Sequence, residues 1–236
     1  LRPQYLEEEL RNYQNLWQTA DRLLVGGGAF GPLTVASDIL GIDHCLRLGA
    51  KQPEVLRAVL EHTTQYILTL AQAEDKIGQG LFWVAEPLAS LFAPSRFEEL
   101  CGQYIRRIAQ GIDAPLYLHV CGKTTAHTRQ LMATGAQVLS IDWTTDLAAC
   151  LAMAPEEVVI MGNVNPMLFL DGTREQIEAA VRTAMEQGRH YKNFILSTGC
   201  MIPWGSPEEN GNLMVELCAA EPHWSSREFR LIRRLE

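Results

Sequence analysis

The stretch Pro115-Leu-Tyr-Leu-His-Val-Cys121 is the part of the sequence from which both a fold and a chemistry can be predicted. Its short apolar run is typical of a β-strand, in which residues two apart point to the same side. His119 and Cys121 would therefore share one face of the strand. Imidazole nitrogen and thiolate sulfur are both ligands that zinc prefers. The stretch thus predicts a strand that ends in two metal ligands.

A third donor of the same kind lies at Cys200, in Thr198-Gly-Cys200. One imidazole and two thiols form the donor set of a catalytic zinc site whose fourth position stays open. Cys200 follows Cys121 by 79 residues (200 minus 121), whereas the ligands of a zinc finger are local. The spacing therefore favours an enzyme site built from separate elements. The alternative, on the residues alone, is a core histidine and two unrelated buried cysteines.

Further apolar runs lie on both sides of this strand, with helical patterns between them. The predicted strands are residues 23–27, 81–85, 115–119, 137–141, 158–161 and 193–197. Alternation of strands and helices predicts an α/β fold with a parallel sheet and the helices outside it. Since no linker or internal repeat interrupts the pattern, we expect one domain over residues 1–236.

Several sequence signals mark the ends of helices. Residues 54–73 repeat apolar side chains at helical spacing, and two capping boxes are predicted. The pairs are Ser95 with Glu98 and Thr173 with Gln176. Further helices are predicted over 4–22, from Pro207 onward and over 225–236. The run Gly26-Gly-Gly28 predicts a tight turn rather than a phosphate-binding loop, because no Lys-Ser/Thr pair follows it.

Polar and ligand-type residues follow the predicted strands. They are Glu86, His119 with Cys121, Asp142, Asn163 and Cys200. The carboxyl ends of parallel strands form the catalytic face of α/β sheets and of (β/α)8 barrels. The pattern therefore predicts an active site at that end of the sheet. Six strands are fewer than the eight of a complete barrel.

Composition excludes several other functions. The hydrophobic fraction of 47% and charged fraction of 20% are ordinary for a globular enzyme. A net charge of −8 argues against nucleic acid and against an anionic membrane surface as partners. No apolar run approaches the roughly 18 residues of a membrane span, and the N-terminal residues lack the apolar core of a signal peptide. We therefore expect a cytoplasmic protein whose six cysteines are reduced.

Seven stretches, taken in order, resemble the uroporphyrinogen decarboxylase superfamily. They are Gly31-Pro-Leu-Thr-Val-Ala-Ser, Glu86-Pro-Leu-Ala-Ser, Leu118-His-Val-Cys-Gly, Leu139-Ser-Ile-Asp-Trp, Gly162-Asn-Val-Asn-Pro, Ser197-Thr-Gly-Cys-Met-Ile-Pro and Pro207-Glu-Glu-Asn. The resemblance runs from about residue 24 to about residue 220. Within the superfamily, the His-x-Cys motif with a distant Cys is similar to the zinc-dependent methylcobamide:coenzyme M methyltransferases.

The resemblance implies a (β/α)8 TIM-barrel fold that here lacks the N-terminal one or two βα units, since the first matching strand resembles the family's third. It implies Zn2+ on His119, Cys121 and Cys200, and transfer of a methyl group from methylcobamide to a small thiol such as coenzyme M. The methyl donor would be carried by a partner corrinoid protein. The substrate-holding arginines of the decarboxylase branch belong to the region without a match, which favours the methyltransferase branch.

Three more residues receive expected roles. Glu86 is predicted to occupy the fourth zinc position at rest, and Asp142 is predicted as a second catalytic group. Asn163 is predicted to contact the cofactor or substrate. For each of the three, structural hydrogen bonding is the alternative. Two other functions also stay open: a metal-free decarboxylase acting on a porphyrinogen, and a non-catalytic corrinoid-associated subunit. Oligomerisation is equally open.

Overall fold

The computed structural model describes residues 26–76 and 80–221, and the described strands form one parallel sheet. The strands are β1 (Gly26–Phe30), β2 (Leu81–Ala85), β3 (Leu116–Val120), β4 (Val138–Ile141), β5 (Val159–Val164) and β6 (Phe194–Thr198). Their order in the sheet follows the chain from β1 to β6, and every neighbouring pair is parallel. This confirms the predicted TIM-barrel-type α/β fold. Within the described residues, β1 and β6 pair on one side only.

Helices connect successive strands. They are α1 (Pro32–Leu40), α2 (Ile42–Lys51), α3 (Pro53–Asp75), α4 (Pro94–Phe97), α5 (Gln103–Gln110), α6 (Thr128–Met132), α7 (Leu147–Met153), α8 (Leu168–Asp171), α9 (Arg174–Gly188) and α10 (Glu208–Ala220). A π-helical turn, Glu98–Gly102, joins α4 to α5. In the described part of the chain, no helix is both long and apolar enough to cross a membrane.

The main core lies between the sheet and the surrounding helices. In β3, Leu116, Leu118 and Val120 are buried against helical residues such as Ile105 and Ile108, while the residues between them face the other way. That second face is half-buried and lines a cavity of about 1510 Å³. In a complete barrel this interior is filled by side chains from all eight strands. The alternation within β3 decides which residues reach the cavity.

The glycine run was predicted wrongly. Gly26 to Gly28 are not a turn but the first three residues of β1, which extends to Phe30. Gly28 pairs with Trp83 on β2, and a Cβ added at Gly28 would lie 2.3 Å from the indole. Gly28 therefore lets the Trp83 ring lie against the neighbouring strand. Residues 23–25 of the predicted strand lie outside the described residues, as do the predicted helices over 4–22 and 225–236.

One of the two predicted capping boxes is present. Thr173 and Gln176 form it at the start of α9. The Ser95 prediction was wrong, because α4 begins one residue earlier, at Pro94, and its start shows no side-chain cap. The Glu98 carboxylate instead accepts two hydrogen bonds from Arg106, at 2.7 and 2.9 Å. Pro207 precedes the first residue of α10 rather than opening the helix.

Candidate metal centre

Strand β3 directs the first two candidate ligands into the cavity. His119 lies between the buried residues Leu118 and Val120, so its ring points away from the helices. Cys121 follows the last strand residue and keeps the same orientation, which places it beside the imidazole. The distance from His119 Nε2 to Cys121 Sγ is 3.2 Å. Strand geometry alone therefore brings this pair together, as the sequence predicted.

Cys200 reaches the same cavity from the last strand of the sheet, two residues after the end of β6. Its Sγ lies 4.0 Å from Cys121 Sγ. One donor atom from each of His119, Cys121 and Cys200 lies within 4.8 Å of the others. Among the described residues, these three form the one group of three or more such side chains close enough to hold an ion.

The distances between the candidate donor atoms are close to those around a tetrahedrally coordinated zinc ion. Zinc bonds of about 2.1 Å to nitrogen and 2.3 Å to sulfur place neighbouring donors about 3.6 to 3.8 Å apart. The observed 3.2 Å between Nε2 and Cys121 Sγ and 4.0 Å between the two sulfurs bracket those values. The remaining donors, on His119 and Cys200, lie within 4.8 Å of each other, so they would have to approach by no more than about 1.2 Å (4.8 minus 3.6) to bind one ion.

Ser140 fixes the orientation of the imidazole. It lies opposite His119 in the register between β3 and β4. His119 Nδ1 lies 3.2 Å from the Ser140 carbonyl oxygen and 3.0 Å from its hydroxyl oxygen. Because a carbonyl only accepts, Nδ1 carries the proton and Nε2 keeps its lone pair toward the thiols. Metal-binding histidines are commonly oriented in this way. Sequence reasoning missed Ser140, although a serine inside a buried strand was a signal.

Three contacts hold the segment that carries Cys200. The Thr198 hydroxyl donates to the Cys200 carbonyl oxygen at 2.7 Å, and the Gly199 N–H donates to the Val164 carbonyl oxygen at 2.8 Å. Gly199 also lies against the backbone of Trp143, since a Cβ added at Gly199 would be 2.2 Å from the Trp143 nitrogen. Only glycine fits at the position before Cys200 while the loop after β6 packs against the backbone of Trp143.

The local environment acts in opposite directions on His119 and Cys121 as metal ligands. Burial lowers the pKa of His119, although the bond to Ser140 and the charge of Asp142 act in the opposite direction. Neutral imidazole is the form that binds a metal. Burial, and after it the proximity of Cys200, raises the pKa of the Cys121 thiol to about 12. A metal must displace the proton of Cys121 against this raised pKa, and a bound zinc ion would do so because it deprotonates a coordinating thiol.

The structure does not bring Glu86 into this group. Glu86 is fully buried, and its carboxylate accepts hydrogen bonds from the Leu33 N–H at 3.0 Å, the Thr34 N–H at 2.8 Å and the Thr34 hydroxyl. It therefore caps the start of α1, which matches the structural alternative to the predicted fourth-ligand role. Burial raises the pKa of Glu86 to about 7 against the opposing effect of these hydrogen bonds. Its own N–H donates to the His119 carbonyl oxygen at 2.8 Å.

Asp142 and Asn163 lie near the candidate ligands but contact other groups. One Asp142 carboxylate oxygen accepts from the Thr144 N–H at 2.8 Å and from the Thr144 hydroxyl at 2.7 Å. The Asn163 side chain donates to the carbonyl oxygens of Asp142 and Thr145, at 3.1 and 2.7 Å. Both side chains therefore hold the loop after β4 rather than join the His-Cys-Cys group.

The cavity beside the three ligands is mainly apolar. Its walls include Phe30, Trp83, Tyr117, Met161 and Ile195. The Phe30 and Trp83 rings meet edge to face, with centroids 6.2 Å apart. Among the described residues that line it, Lys192 is the one lysine and no arginine occurs.

Fold and donor group together define a TIM-barrel-type α/β protein with a candidate three-ligand metal site at the carboxyl ends of its strands. Residues 11–220 match the family model described as Uroporphyrinogen decarboxylase (URO-D). The chain therefore belongs to the uroporphyrinogen decarboxylase family, as its motifs predicted.

Relatives within the family carry two different names. The uroporphyrinogen decarboxylase of Synechococcus sp. (strain CC9605) is 31% identical over 166 residues, covering 68% of this chain and 46% of that protein. The methylcobamide:CoM methyltransferase MtaA of Methanosarcina barkeri (strain Fusaro / DSM 804) is 26% identical over 193 residues, covering 80% of this chain and 56% of that protein. The chain thus spans about half the length of the curated relatives that it matches.

A solved structure supports the fold. The methyltransferase from Methanosarcina mazei superposes with a TM-score of 0.79 at 23% identity, covering 88% of this chain and 62% of that one. At this identity the likeness bears on architecture alone. The chemistry of this chain has to be argued from its own side chains.

Proposed function

We propose that this chain carries the site of a zinc-dependent methyltransferase, which moves a methyl group from a methylcorrinoid to a thiol. One observation carries the proposal: His119, Cys121 and Cys200 place one nitrogen and two sulfur donors within 4.8 Å of one another, beside a large cavity. A decarboxylase that works without metal has no use for this donor set. Relatives named as methylcobamide:CoM methyltransferases support the same choice.

The three ligands would determine the charge and the geometry of the site. Two cysteinates offset the charge of Zn2+, and His119 as a neutral ligand adds none. When bound, zinc would supply the positive charge that keeps an acceptor thiol ionised at neutral pH. Ser140 holds the imidazole in the required tautomer, and the contact of Gly199 with Trp143 holds Cys200 in place. The contribution of the protein side chains to the reaction would thus be to orient the sulfur of the acceptor thiol.

The methyl transfer itself is a displacement at carbon. The acceptor thiol gives its proton to solvent, and its sulfur attacks the methyl carbon of the methylcorrinoid. A carbon–sulfur bond forms as the carbon–cobalt bond breaks, and the bonding electron pair stays on cobalt. Cobalt(III) is thereby reduced to cobalt(I), and the products are a methyl thioether and the demethylated corrinoid. The apolar cavity wall would keep water from the reacting carbon.

The second candidate is decarboxylation of a porphyrinogen, favoured by the relatives named uroporphyrinogen decarboxylase at 31% identity. A uroporphyrinogen carries many carboxylates and needs cationic partners. Among the described residues that line the cavity, Lys192 is offset by Glu156 and Glu157. These three charged residues precede β5 and β6, at the end of the sheet opposite the candidate ligands, so the His-Cys-Cys donor set itself favours the methyltransferase.

Metal content tests the proposal first. We expect about one zinc per chain in the purified wild-type protein, lost in Cys200→Ala. The matched control is Cys218→Ala, since Cys218 is a half-buried thiol on α10 outside the group. Elemental analysis of the three proteins gives the answer. Protein that contains no zinc, and takes up none when zinc is added, would overturn the proposal.

Activity distinguishes the two candidates. The wild-type protein is incubated with methylcobalamin and several thiols, including coenzyme M, and in parallel with uroporphyrinogen. We expect thioether formation and no loss of carboxyl groups. Decarboxylation without methyl transfer would establish the second candidate. Zinc binding with neither reaction, alone or with a corrinoid protein, would mark the chain as a non-catalytic subunit.

A further inference from the structure

Two of the three candidate metal ligands are thiols that lie next to each other in the cavity. Cys121 follows β3 and Cys200 follows β6, and their sulfur atoms are 4.0 Å apart. Both residues are free cysteines. Because 79 residues separate them in the chain (200 minus 121), the fold and not the local sequence brings the pair together. A metal ion is one species that could join the two sulfurs, and a covalent bond between them is the other.

The two sulfur atoms are close enough to form a disulfide after a small movement. A disulfide bond is about 2.05 Å long, so the sulfurs would have to approach by about 2.0 Å (4.0 minus 2.05). A change between staggered rotamers displaces a cysteine sulfur by more than this distance. Both residues line the cavity of about 1510 Å³, which leaves open space beside the two side chains. We therefore expect rotation of the side chains, rather than rearrangement of the sheet, to bring the sulfurs together.

The pair is accessible to a small oxidant, unlike the buried cysteines. Cys121 and Cys200 are partly exposed and line the cavity. Three of the remaining cysteines are buried, and they are Cys45, Cys101 and Cys150. Cys218 is also partly exposed, but it lies on α10 and does not line the cavity. A small oxidant that enters the cavity would therefore meet the sulfurs of Cys121 and Cys200.

A disulfide and a metal ion exclude each other at this pair. Two sulfurs bound to one tetrahedral zinc ion lie about 3.8 Å apart, whereas those of a disulfide are about 2.05 Å apart. A sulfur in a disulfide also lacks the negative charge of the thiolate, which is the form that binds metal. Oxidation would thus remove two of the three donors and leave His119 alone. Conversely, a bound ion would hold the sulfurs apart and protect them from oxidation.

We propose that Cys121 and Cys200 form a reversible disulfide when no ion is bound and a peroxide is present, so that the redox state of this pair controls metal binding by the chain. This inference goes beyond the proposed function and does not depend on methyl transfer, because it requires only the two thiols and an oxidant.

The oxidation is balanced in atoms and electrons. One sulfur attacks an oxygen atom of hydrogen peroxide, the oxygen–oxygen bond breaks, and a sulfenic acid forms with release of water. The second sulfur attacks the sulfenic sulfur, and the sulfur–sulfur bond forms as the sulfur–oxygen bond breaks. The departing hydroxyl takes the proton of the second thiol and leaves as water. The two thiols together lose two electrons and two protons, and the peroxide is reduced to two water molecules. A dithiol reverses the oxidation by thiol–disulfide exchange.

Peptide mapping after oxidation tests whether the bond forms. The Cys218→Ala protein is used beside the wild type, because the tryptic peptide 193–227 contains both Cys200 and Cys218, whereas the peptide 108–123 contains Cys121 alone. Metal-free protein is treated with hydrogen peroxide for hours, since burial raises the pKa of Cys121 and a protonated thiol reacts slowly. We expect the two peptides to be linked and the intact mass to fall by about 2 Da, with both changes reversed by dithiothreitol.

Zinc binding tests whether the bond controls the site. Protein loaded with zinc should form no link in the time that fully oxidises the metal-free protein. The oxidised protein should bind zinc at least about 100-fold more weakly in chelator competition, because loss of a partner outside the ligand set alone costs about 10- to 100-fold. Reduction, followed by removal of the reductant, should restore the original affinity.

Different results overturn the two proposals. If peroxide does not link Cys121 to Cys200, or if the linked protein keeps its zinc affinity, the redox proposal is wrong, while the proposed function is unaffected. If the reduced protein binds zinc and responds to peroxide as expected but methylates no thiol, the proposed function is wrong and the redox control stands. A reduced protein that binds no zinc would overturn both.

Discussion

Replacement of Gly199 by alanine tests whether backbone packing positions the third ligand. An ideal Cβ at Gly199 would lie 2.2 Å from the Trp143 nitrogen and 2.7 Å from its Cα. Ordinary contacts of a Cβ begin at 3.4 Å, so the two loops would have to separate by about 1.2 Å (3.4 minus 2.2). Because the contacting atoms belong to the backbone, no side-chain rotation relieves the clash.

Such a displacement is large for a metal site. Ligand distances are held to about 0.2 Å, and Cys200 is the next residue in the chain. The hydrogen bond from the Gly199 N–H to the Val164 carbonyl oxygen, now 2.8 Å, would also lengthen. We therefore expect Gly199→Ala to lower zinc affinity at least about 10- to 100-fold. Its cost to the free energy of unfolding should be about 1–3 kcal/mol.

Competition with a chromogenic chelator measures zinc affinity, and thermal unfolding of the metal-free protein measures stability. Gly211→Ala is the matched control, because a Cβ at Gly211 in α10 would meet no atom within 4 Å. That variant should keep its zinc affinity and gain about 0.5–1 kcal/mol of stability. A Gly199→Ala protein with wild-type zinc affinity would refute the reasoning that Trp143 sets the position of Cys200.

Three further predictions concern the groups around the site and the helix ends. Glu86→Ala should lower the free energy of unfolding by about 2–5 kcal/mol in chemical denaturation, because two buried N–H groups lose their acceptor, and Glu86→Gln should cost less. Ser140→Ala should weaken zinc binding by up to about tenfold in chelator competition, since the carbonyl contact to His119 persists; unchanged affinity would show that the hydroxyl does not orient the ring. Thr173→Ala should cost about 1 kcal/mol in thermal unfolding through loss of the cap, whereas Ser95→Ala should change stability by no more than a few tenths; equal effects would contradict the observed helix starts.

The sequence predicted those parts of the site that depend on local geometry. His119 and Cys121 share a face because a strand repeats every two residues, which holds in any strand. Cys200 was expected at the same end of the sheet, since the carboxyl ends of parallel strands lie together. Its 4.0 Å distance to Cys121 could not be derived, because the loop after β6 is set by its contact with Trp143.

Other features depend on the register between strands and on loop packing, which one sequence does not reveal. Ser140 meets His119 only because β3 and β4 align as they do. Glu86 follows its strand as expected, but its carboxylate turns toward the first N–H groups of α1. The glycines of β1 were misread because their small size makes room for Leu81, Glu74 and Trp83 beside the strand rather than for a turn.

The long separation of Cys121 and Cys200 along the chain also bears on unfolding. Any ion held by both sulfurs joins the end of β3 to the segment after β6, and so encloses β4, β5, β6 and the helices between them in a loop of about 80 residues. An ion that binds only the native form adds about 2.7 kcal/mol to the free energy of unfolding at a concentration 100 times its Kd. Loss of the ion would then destabilise the half of the sheet formed by β4, β5 and β6. The unfolding of that half would therefore show whether the metal is bound.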